Sequence, residues 1–310
     1  MPRRPRNPRL AVVAALAVGA LLLVGCGSED AASGGGALQV EASFYPLQWM
    51  AEEVGGDLVT VSNLTKPGAE PHDLELTPRE VAALADADVV VYLSGFQLSV
   101  DDAVVDSSAT VFDAADAADL DLTLGEDSGQ DQEDGVGVTD RHFWLDPTKL
   151  AAVAASFADT LADEDPDNAG AYRANAAGVV AELGELDGEL EAGLADCADK
   201  ELVTSHQAFG YLAERYGLDQ VGITGLSPDQ EPSGADLARV TEFVKEHGVR
   251  TIYFETLVSP DVADTVADEA GAETAVLDPI EGLTDASQGR DYVEVMRSNL
   301  ENLQVGQPCR

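Results

Sequence analysis

Short segments rich in β-branched residues alternate with helix-like segments along most of this chain. We expect strands at 38–43, 58–64, 88–93 and 110–113 in the first half and at 201–205, 220–224, 251–255 and 274–277 in the second. Capping patterns at Thr77-Pro78-Arg79-Glu80 and Ser233-Gly234-Ala235-Asp236 predict two helix starts between these strands. Such alternation is typical of parallel sheets flanked by helices, so we expect an α/β fold.

The alternation stops between residues 166 and 196. This stretch is rich in Ala, Glu and Leu, and its apolar residues recur at helical spacing, at Val179, Val180, Leu183, Leu186, Leu190 and Leu194. We therefore expect one long rigid helix there, preceded by a shorter helix over 148–162. The predicted architecture has an N-terminal α/β lobe at 38–165 and a C-terminal α/β lobe at 197–310, joined by the long helix at 166–196.

The first 25 residues have the pattern of an export signal. Several arginines precede an apolar run at 10–24, which is too short to span a bilayer comfortably. The run ends in Leu23-Val24-Gly25-Cys26, which is similar to the lipobox of bacterial lipoproteins. We expect residues 1–25 to be a lipoprotein signal peptide, Cys26 to carry the lipid, and residues 26–37 to form a flexible tether. The alternative is an ordinary signal peptide with a chance cysteine.

The chain is strongly acidic. It contains 58 Asp and Glu residues against 17 Lys and Arg residues, for a formal net charge of −41. Because contact with phosphates requires Lys and Arg, this composition argues against nucleic-acid binding. The charge favours solubility and attracts cations to the surface, but it does not by itself indicate a metal site.

Two of the three cysteines remain once Cys26 is assigned to the lipid. Cys197 and Cys309 form an even pair in a chain that is predicted to be exported, and neither lies near a histidine in the sequence. Disulfides persist in exported proteins, so we expect these two residues to be disulfide-bonded rather than bound to a metal.

Three of the four histidines lie where a metal site could form. His72 follows the strand at 58–64 through a turn, and His206 comes directly after the strand at 201–205. His142 precedes a helix-like segment, and Asp278 follows the strand at 274–277. Ligands of open α/β sheets bind at the carboxyl ends of strands, and imidazole is the commonest protein ligand of zinc. We therefore expect His72, His142, His206 and Asp278 to form a closed metal site in the cleft between the lobes.

Other residues near these positions have competing interpretations. Each histidine taken alone could be a hydrogen-bonded, partly buried residue. Glu255 is a partner of a ligand, a rival fourth ligand, or an acid at the N-terminus of a helix. Glu70 is an alternative oxygen ligand or a solvated turn residue. His247 fits an exposed helix C-terminus. The loop at 125–135 contains five acidic residues and no basic residue, so it is either a solvated insertion or a segment that attracts cations.

At these motifs the chain resembles the zinc/manganese class of solute-binding lipoproteins of bacterial ABC transporters. The resemblance covers nearly all of residues 38–305. The motifs that carry it include Pro67-Gly68-Ala69-Glu70-Pro71-His72, His142-Phe143-Trp144-Leu145-Asp146-Pro147, His206-Gln207-Ala208-Phe209-Gly210-Tyr211, and Leu277-Asp278-Pro279. It implies a two-lobed fold with a linking helix and one metal ion buried between the lobes, held by His72, His142, His206 and Asp278.

The resemblance also implies a function. The chain would bind Zn(II) as its substrate at the outer face of the cytoplasmic membrane and deliver it to the permease and ATPase of an importer, with no enzymatic activity. We expect a monomer. Manganese-binding relatives typically carry Glu at the third ligand position, where this chain has His206, and nitrogen ligands suit zinc better than manganese.

Three alternatives stay open from the sequence. A manganese- or iron-binding protein of the same class is the nearest. A zinc hydrolase would use three histidines and a bound water, but the chain has no His-Glu-x-x-His helix, and a fourth protein ligand would occupy the position of the water. A role as a surface adhesin is compatible with either chemistry.

Overall fold

The computed structural model describes residues 36–124, 138–228 and 230–309. Within these ranges, no helix combines the length and the hydrophobicity that a membrane span requires. The predicted signal peptide, the lipid-bearing Cys26 and the acidic loop at 125–135 lie outside the described residues. Residues Ala37–Arg310 form one compact unit.

The first half of this unit forms a parallel sheet of four strands. These are β1 (Leu38–Ala42), β2 (Val59–Asn63), β3 (Val89–Tyr92) and β4 (Thr110–Asp113), in the order β2-β1-β3-β4. The helices that connect or follow them are α1 (Tyr45–Gly55), α2 (Pro78–Asp86), α3 (Leu98–Val104) and α4 (Ala115–Ala118). A two-stranded antiparallel hairpin follows, formed by β5 (Thr123–Leu124) and β6 (Val138–Thr139).

Two long helices follow the hairpin and lie between the two large sheets in the sequence. They are α5 (Pro147–Glu164) and α6 (Ala169–Leu194). One side of α6 is buried, at Tyr172, Ala176, Val179, Leu183, Leu186, Leu190 and Leu194. This spacing of three or four residues is the apolar pattern that the sequence displays, and it explains why α6 stays helical despite its five glycines.

The second half forms another parallel sheet of four strands. They are β7 (Glu201–Thr204), β8 (Asp219–Gly222), β9 (Thr251–Phe254) and β10 (Glu273–Val276), in the order β10-β9-β7-β8. The helices of this half are α7 (Gly210–Tyr216), α8 (Gly234–His247), α9 (Asp261–Ala270) and α10 (Tyr292–Gly306). One continuous apolar cluster includes residues of α1, α5, α6 and α10, so the two sheets share a core.

The predicted α/β architecture is confirmed. Every predicted strand is present within one or two residues of its expected ends. Thr77 and Ser233 cap α2 and α8 as expected, each with the reciprocal acid of a capping box, Glu80 and Asp236. Helix α8 ends at Gly248, whose φ of 67° lies in the left-handed region that glycine adopts without strain. The lobe limits 38–165, 166–196 and 197–310 stay a prediction.

The predicted disulfide between Cys197 and Cys309 is present. It joins the segment after α6 to the end of the described chain, where Ala198 also donates a backbone hydrogen bond to Gln307. Because the two cysteines are 112 residues apart in sequence, the bond closes a loop that contains the whole second sheet.

Candidate metal centre

His72 lies in the turn that follows β2. The Oε1 atom of Glu70 accepts a hydrogen bond from the backbone N–H of His72 at 3.1 Å, which fixes the turn locally. The buried side chain of Gln97 donates to the carbonyl of Pro71 at 3.2 Å and to Thr65 Oγ1 at 3.0 Å. The edge of the Phe96 ring packs against the imidazole, with ring centroids 4.4 Å apart. These contacts hold the His72 imidazole at the edge of the first sheet.

His142 lies just before a short 3-10 turn at Phe143–Leu145. Its Nδ1 atom is 2.8 Å from Asp140 Oδ1, and the same oxygen accepts the backbone N–H of His142 at 2.9 Å. A Cβ atom at Gly210 would lie 2.5 Å from Asp140 Oδ2, so this glycine lets α7 approach the carboxylate closely. Asp140 therefore orients the ring, and the Nε2 atom is left to point towards the second half of the molecule.

His206 lies two residues beyond the end of β7 and is fully buried. Its Nδ1 atom is 2.7 Å from Oε1 of Glu255, which follows β9. Parallel strands β7 and β9 are neighbours, so their carboxyl ends bring these two side chains together. Glu255 thus has the position of a partner of His206, one of the three interpretations that the sequence leaves open for it.

The fourth side chain that meets the histidines is Glu281, and the expectation for Asp278 is corrected. His72, His142, His206 and Glu281 each offer one ligand atom, and these atoms lie within 4.8 Å of one another. After β10 the chain runs through Ile280, which has a φ of 59°, and this left-handed residue reverses the backbone. Glu281 therefore reaches the cluster, three residues beyond Asp278, the position that the strand end suggests.

The carboxylate of Asp278 is occupied by donors from its own surroundings. It accepts the backbone N–H of Ile280 at 2.8 Å and the hydroxyls of Ser287 and Thr256 at 2.9 and 3.1 Å. Burial raises the pKa of this carboxyl group. The backbone of Asp278 is paired in both directions with the side chain of Asn299. Asp278 thus builds the loop that presents Glu281.

A tryptophan from the first half of the chain holds the same loop. Trp144 Nε1 donates to the carbonyl of Pro279 at 2.7 Å, and the hydroxyl of Tyr292 donates to the carbonyl of Trp144. All of these groups are buried. The segment that carries His142 is therefore tied directly to the loop that carries Glu281.

The distances from Glu281 to the three histidines match the edges of a tetrahedral zinc site. Oε1 of Glu281 is 3.2, 3.3 and 3.5 Å from the Nε2 atoms of His142, His206 and His72. A tetrahedron with metal–ligand bonds of 2.0–2.1 Å has edges of about 3.3–3.4 Å. None of the three Nε2 atoms and neither oxygen of Glu281 has a hydrogen-bond partner among the described residues, although all five atoms are buried. Because buried polar atoms are almost always paired, these atoms fit a cation at their centre.

The four groups shift one another's pKa values. Although burial acts in the opposite direction, the three imidazoles hold the pKa of Glu281 well below its usual range. Burial lowers the pKa of His72. Burial would also lower the pKa of His142 and His206, but their carboxylate contacts outweigh it and raise both values. A metal ion that binds here therefore competes with protons for these two rings.

Glu70 and His247 do not join the cluster. Glu70 is bonded to the turn of His72, and burial together with the charge of Glu281 raises its pKa to about 9. His247 lies at the end of α8, where it stacks on Phe243 and contacts Glu201 on the surface. A cavity of about 110 Å³, lined in part by His72, Phe96 and Arg141, opens onto the cluster. His72, with 13 % of its side chain exposed, is the ligand nearest to solvent.

The sequence profile of the family described as zinc-uptake complex component A, periplasmic, matches residues 40–306. The chain belongs to this family. The high-affinity zinc uptake system protein ZnuA of Bacillus subtilis (strain 168) is 37% identical over 300 residues, a match that covers 91% of this chain and 93% of the relative. The zinc-binding lipoprotein AdcA of Streptococcus pneumoniae (strain ATCC BAA-255 / R6) is 37% identical over 293 residues, which cover 92% of this chain but 58% of AdcA.

Solved structures of similar proteins share the fold of this family member. The laminin-binding protein Lmb of Streptococcus agalactiae, described as bifunctional with adhesin and metal transporting activity, superposes with a TM-score of 0.77 at 35% identity, covering 87% of this chain and 100% of Lmb. The Zn(II)-bound ZnuA-like domain of Streptococcus pneumoniae AdcA gives a TM-score of 0.72 at 35% identity, covering 88% and 99%. The two-lobed solute-binding fold that the motifs imply is therefore confirmed.

Sequence reasoning missed two residues of this centre, Glu281 and Asp140. The sequence contains a feature that points to each of them. Asp140 precedes His142 by two residues, a spacing that lets one carboxylate bond both the backbone and the ring of the histidine. Glu281 is the second acid in the otherwise apolar stretch 276–283, and it is followed by a glycine. Neither signal is strong enough alone to exclude Asp278.

Proposed function

We propose that this protein binds one Zn(II) ion through His72, His142, His206 and Glu281 and delivers it to an ABC-type importer. The observation that carries the proposal is the convergence of four unpartnered, buried ligand atoms within 4.8 Å of one another, with the carboxylate oxygen of Glu281 at zinc-tetrahedron edge distances from the three imidazole nitrogens. The names of the relatives, a zinc uptake protein and zinc-binding lipoproteins, support zinc as the substrate. The permease and the ATPase of the importer are the expected partners.

Zinc is favoured over manganese or iron by the donor set. Three imidazole nitrogens and one carboxylate oxygen suit a borderline-soft ion that accepts four ligands. Manganese prefers more oxygen ligands and a higher coordination number. A manganese- or iron-binding protein of the same class is the alternative, and a competition titration between zinc and manganese separates the two.

The same geometry supports a binding protein rather than a zinc hydrolase. A hydrolytic zinc keeps one position for water, whereas here Glu281 supplies the fourth ligand and is fully buried. We expect the zinc-loaded protein to show no hydrolysis of an activated ester above the rate of free zinc at the same concentration.

The location and the anchor follow from the N-terminal pattern. We expect Cys26 to carry a lipid that holds the protein at the outer face of the cytoplasmic membrane, as a monomer. Mass spectrometry of the purified N-terminal peptide tests the lipid, and Cys26→Ser should release the protein from the membrane fraction. Light scattering of the zinc-loaded protein tests the monomeric state.

Metal analysis and calorimetry test the zinc site itself. The wild-type protein should bind one zinc ion per chain. His206→Ala should weaken zinc binding by orders of magnitude, because it removes a ligand and leaves Glu255 without its partner. His247→Ala is the matched control, since this histidine is exposed and outside the cluster. Equal zinc affinity of the His206→Ala and His247→Ala proteins would refute the assignment.

A further inference from the structure

A second cavity is lined by Glu255, the partner of the ligand His206. It has a volume of about 240 Å³. The described residues that line it are Ser205, Thr224, Pro228, Gln230, Glu231, Pro232, Glu255, Val258, Ser259 and Val262. His72, His142 and Glu281 do not line it. The cavity is therefore separate from the opening that leads to His72.

The cavity combines apolar walls with acidic residues. Its walls include the apolar side chains of Pro228, Pro232, Val258 and Val262. Its charged lining residues are two acids, the exposed Glu231 and the buried Glu255, and no basic residue lines it within the described chain.

Glu255, which lines this cavity, carries a carboxylate oxygen without a partner. Its Oε1 atom already contacts His206 Nδ1 and accepts the Ser205 hydroxyl, both at 2.7 Å. Its Oε2 atom is buried and has no hydrogen-bond partner among the residues that the structure describes. Glu255 is 2% exposed, so water cannot solvate this oxygen freely. A buried carboxylate oxygen without a donor is costly, which points to a donor that arrives from outside the chain.

We propose that this cavity receives a lysine or arginine side chain of the partner protein, and that its arrival weakens zinc binding through Glu255 and His206. The apolar walls suit the hydrocarbon stem of such a side chain, and Glu255 Oε2 suits its cationic head. The volume corresponds to roughly eight water-sized groups, which is enough for one long side chain. This inference rests on the proposed function, because the partner is the importer that must take the zinc.

The coupling to zinc follows from the shared carboxylate. A carboxylate that accepts the Nδ1–H of a ligand histidine raises the basicity of that ligand, and losing such a partner typically costs 10–100-fold in metal affinity. A cation on Oε2 withdraws charge from Oε1 and repels the bound zinc. Docking of the basic side chain therefore favours release of zinc at the place where the partner receives it.

The probe for this cavity is the n-butylguanidinium ion. Zinc-loaded protein is mixed with a chelator in a stopped-flow instrument, with n-butylguanidinium chloride or with matched concentrations of sodium chloride and n-pentanol. We expect n-butylguanidinium to accelerate zinc dissociation about tenfold in a saturable way. The two controls should not accelerate it, because one lacks the stem and the other lacks the charge. Backbone amide resonances of Val258 and Val262 should shift over the same concentration range.

A substitution that fills the cavity with a larger side chain is the matched variant for the wild type. Val262→Phe should abolish both the acceleration and the amide shifts of the cavity residues while leaving one zinc per chain. Val258→Phe serves the same purpose if the first variant does not fold, and Val305→Phe on the exposed face of α10 is the control substitution. No saturable acceleration in the wild type, or an equal acceleration in a folded cavity-filled variant, overturns the proposal.

The outcome is distinguishable from a failure of the zinc site. A protein that contains one zinc per chain but does not respond to the probe refutes the docking pocket alone. A protein that binds no zinc refutes the proposed function, and the amide shifts of Val258 and Val262 still decide whether the cavity binds the cation. Binding of a second metal ion in the cavity, seen as two zinc ions per chain that Val262→Phe reduces to one, would assign the cavity to a free cation and overturn the proposal.

Discussion

Replacing the two acids of the 278–281 loop separately gives a direct test of the metal centre. Glu281→Gln keeps the size of a ligand but removes its charge, whereas Asp278→Asn alters the acid whose oxygens accept three hydrogen bonds from Ile280, Thr256 and Ser287. The structure predicts that the two substitutions affect different properties. Glu281→Gln should affect mainly zinc binding, and Asp278→Asn should affect mainly the stability of the metal-free protein.

The size of each effect can be estimated. Structural zinc sites contribute about 10–16 kcal/mol over four ligands, so one ligand accounts for about 3–4 kcal/mol, or a factor of about 10²–10³ in affinity. At free zinc of about 1,000 times the wild-type Kd, zinc stabilises the wild type by about 4 kcal/mol, and the Glu281→Gln protein by about 0.4–1.4 kcal/mol. Loss of charged hydrogen bonds at Asp278 should lower the stability of the metal-free protein by about 1.5–3 kcal/mol.

Thermal unfolding in a zinc buffer measures both effects. With about 2–4 °C per kcal/mol for a chain of this size class, zinc should raise the Tm of the wild type by about 8–16 °C and that of Glu281→Gln by about 1–6 °C. Asp278→Asn should start from a lower Tm and keep most of the zinc-induced rise. If Asp278→Asn loses the rise while Glu281→Gln keeps it, the fourth ligand is Asp278 and our reading of the loop is wrong.

Three further outcomes follow from the structure. Replacing both Cys197 and Cys309 by serine should destabilise the protein by up to about 4–5 kcal/mol in denaturant unfolding, with zinc stoichiometry unchanged, because the bond closes a loop across 112 residues. When the pH is lowered, the zinc affinity measured by calorimetry should start to fall at a pH above 6.5, the ordinary pKa of histidine. Zinc binding should release protons in this pH range. The reason is that carboxylate contacts outweigh burial and raise the pKa of His142 and His206, so these rings hold protons at higher pH than an ordinary histidine. His72→Ala should weaken zinc binding less than His206→Ala in a competition titration, because His72 is partly exposed and water can replace it; the reverse order would contradict this.

Much of the fold could be predicted because short local sequence patterns indicate the strands and the helix starts. Buried strands of four or five residues appear as β-branched runs between turns, and the capping boxes at Thr77 and Ser233 mark helix starts within a residue. The hairpin of β5 and β6 was not predicted. Its strands have two residues each and are separated by the acidic loop, so no alternation of apolar and polar residues is long enough to indicate them.

The three histidines could be predicted as a group for a related reason. His206 comes just after a strand and His72 after a turn, and parallel sheets bring the carboxyl ends of their strands to one edge. The sequence does not say how the chain turns after such an end. Between β10 and Glu281 that turn depends on Ile280 in the left-handed region, a conformation that an isoleucine rarely adopts and that spacing does not predict.

The difference between Asp278 and Glu281 depends on which donors surround each acid. Two donors to Asp278 come from Thr256, which is 22 residues away, and Ser287, which is 9 residues away. Only the folded backbone brings them to this carboxylate and leaves the oxygens of Glu281 without a partner. An acid whose oxygens are all bonded serves as structure, whereas a buried acid without donors among three imidazoles is available to a cation. The fourth ligand therefore had to be found from the hydrogen-bond arrangement, because both acids follow the same strand and differ by only three positions in the chain.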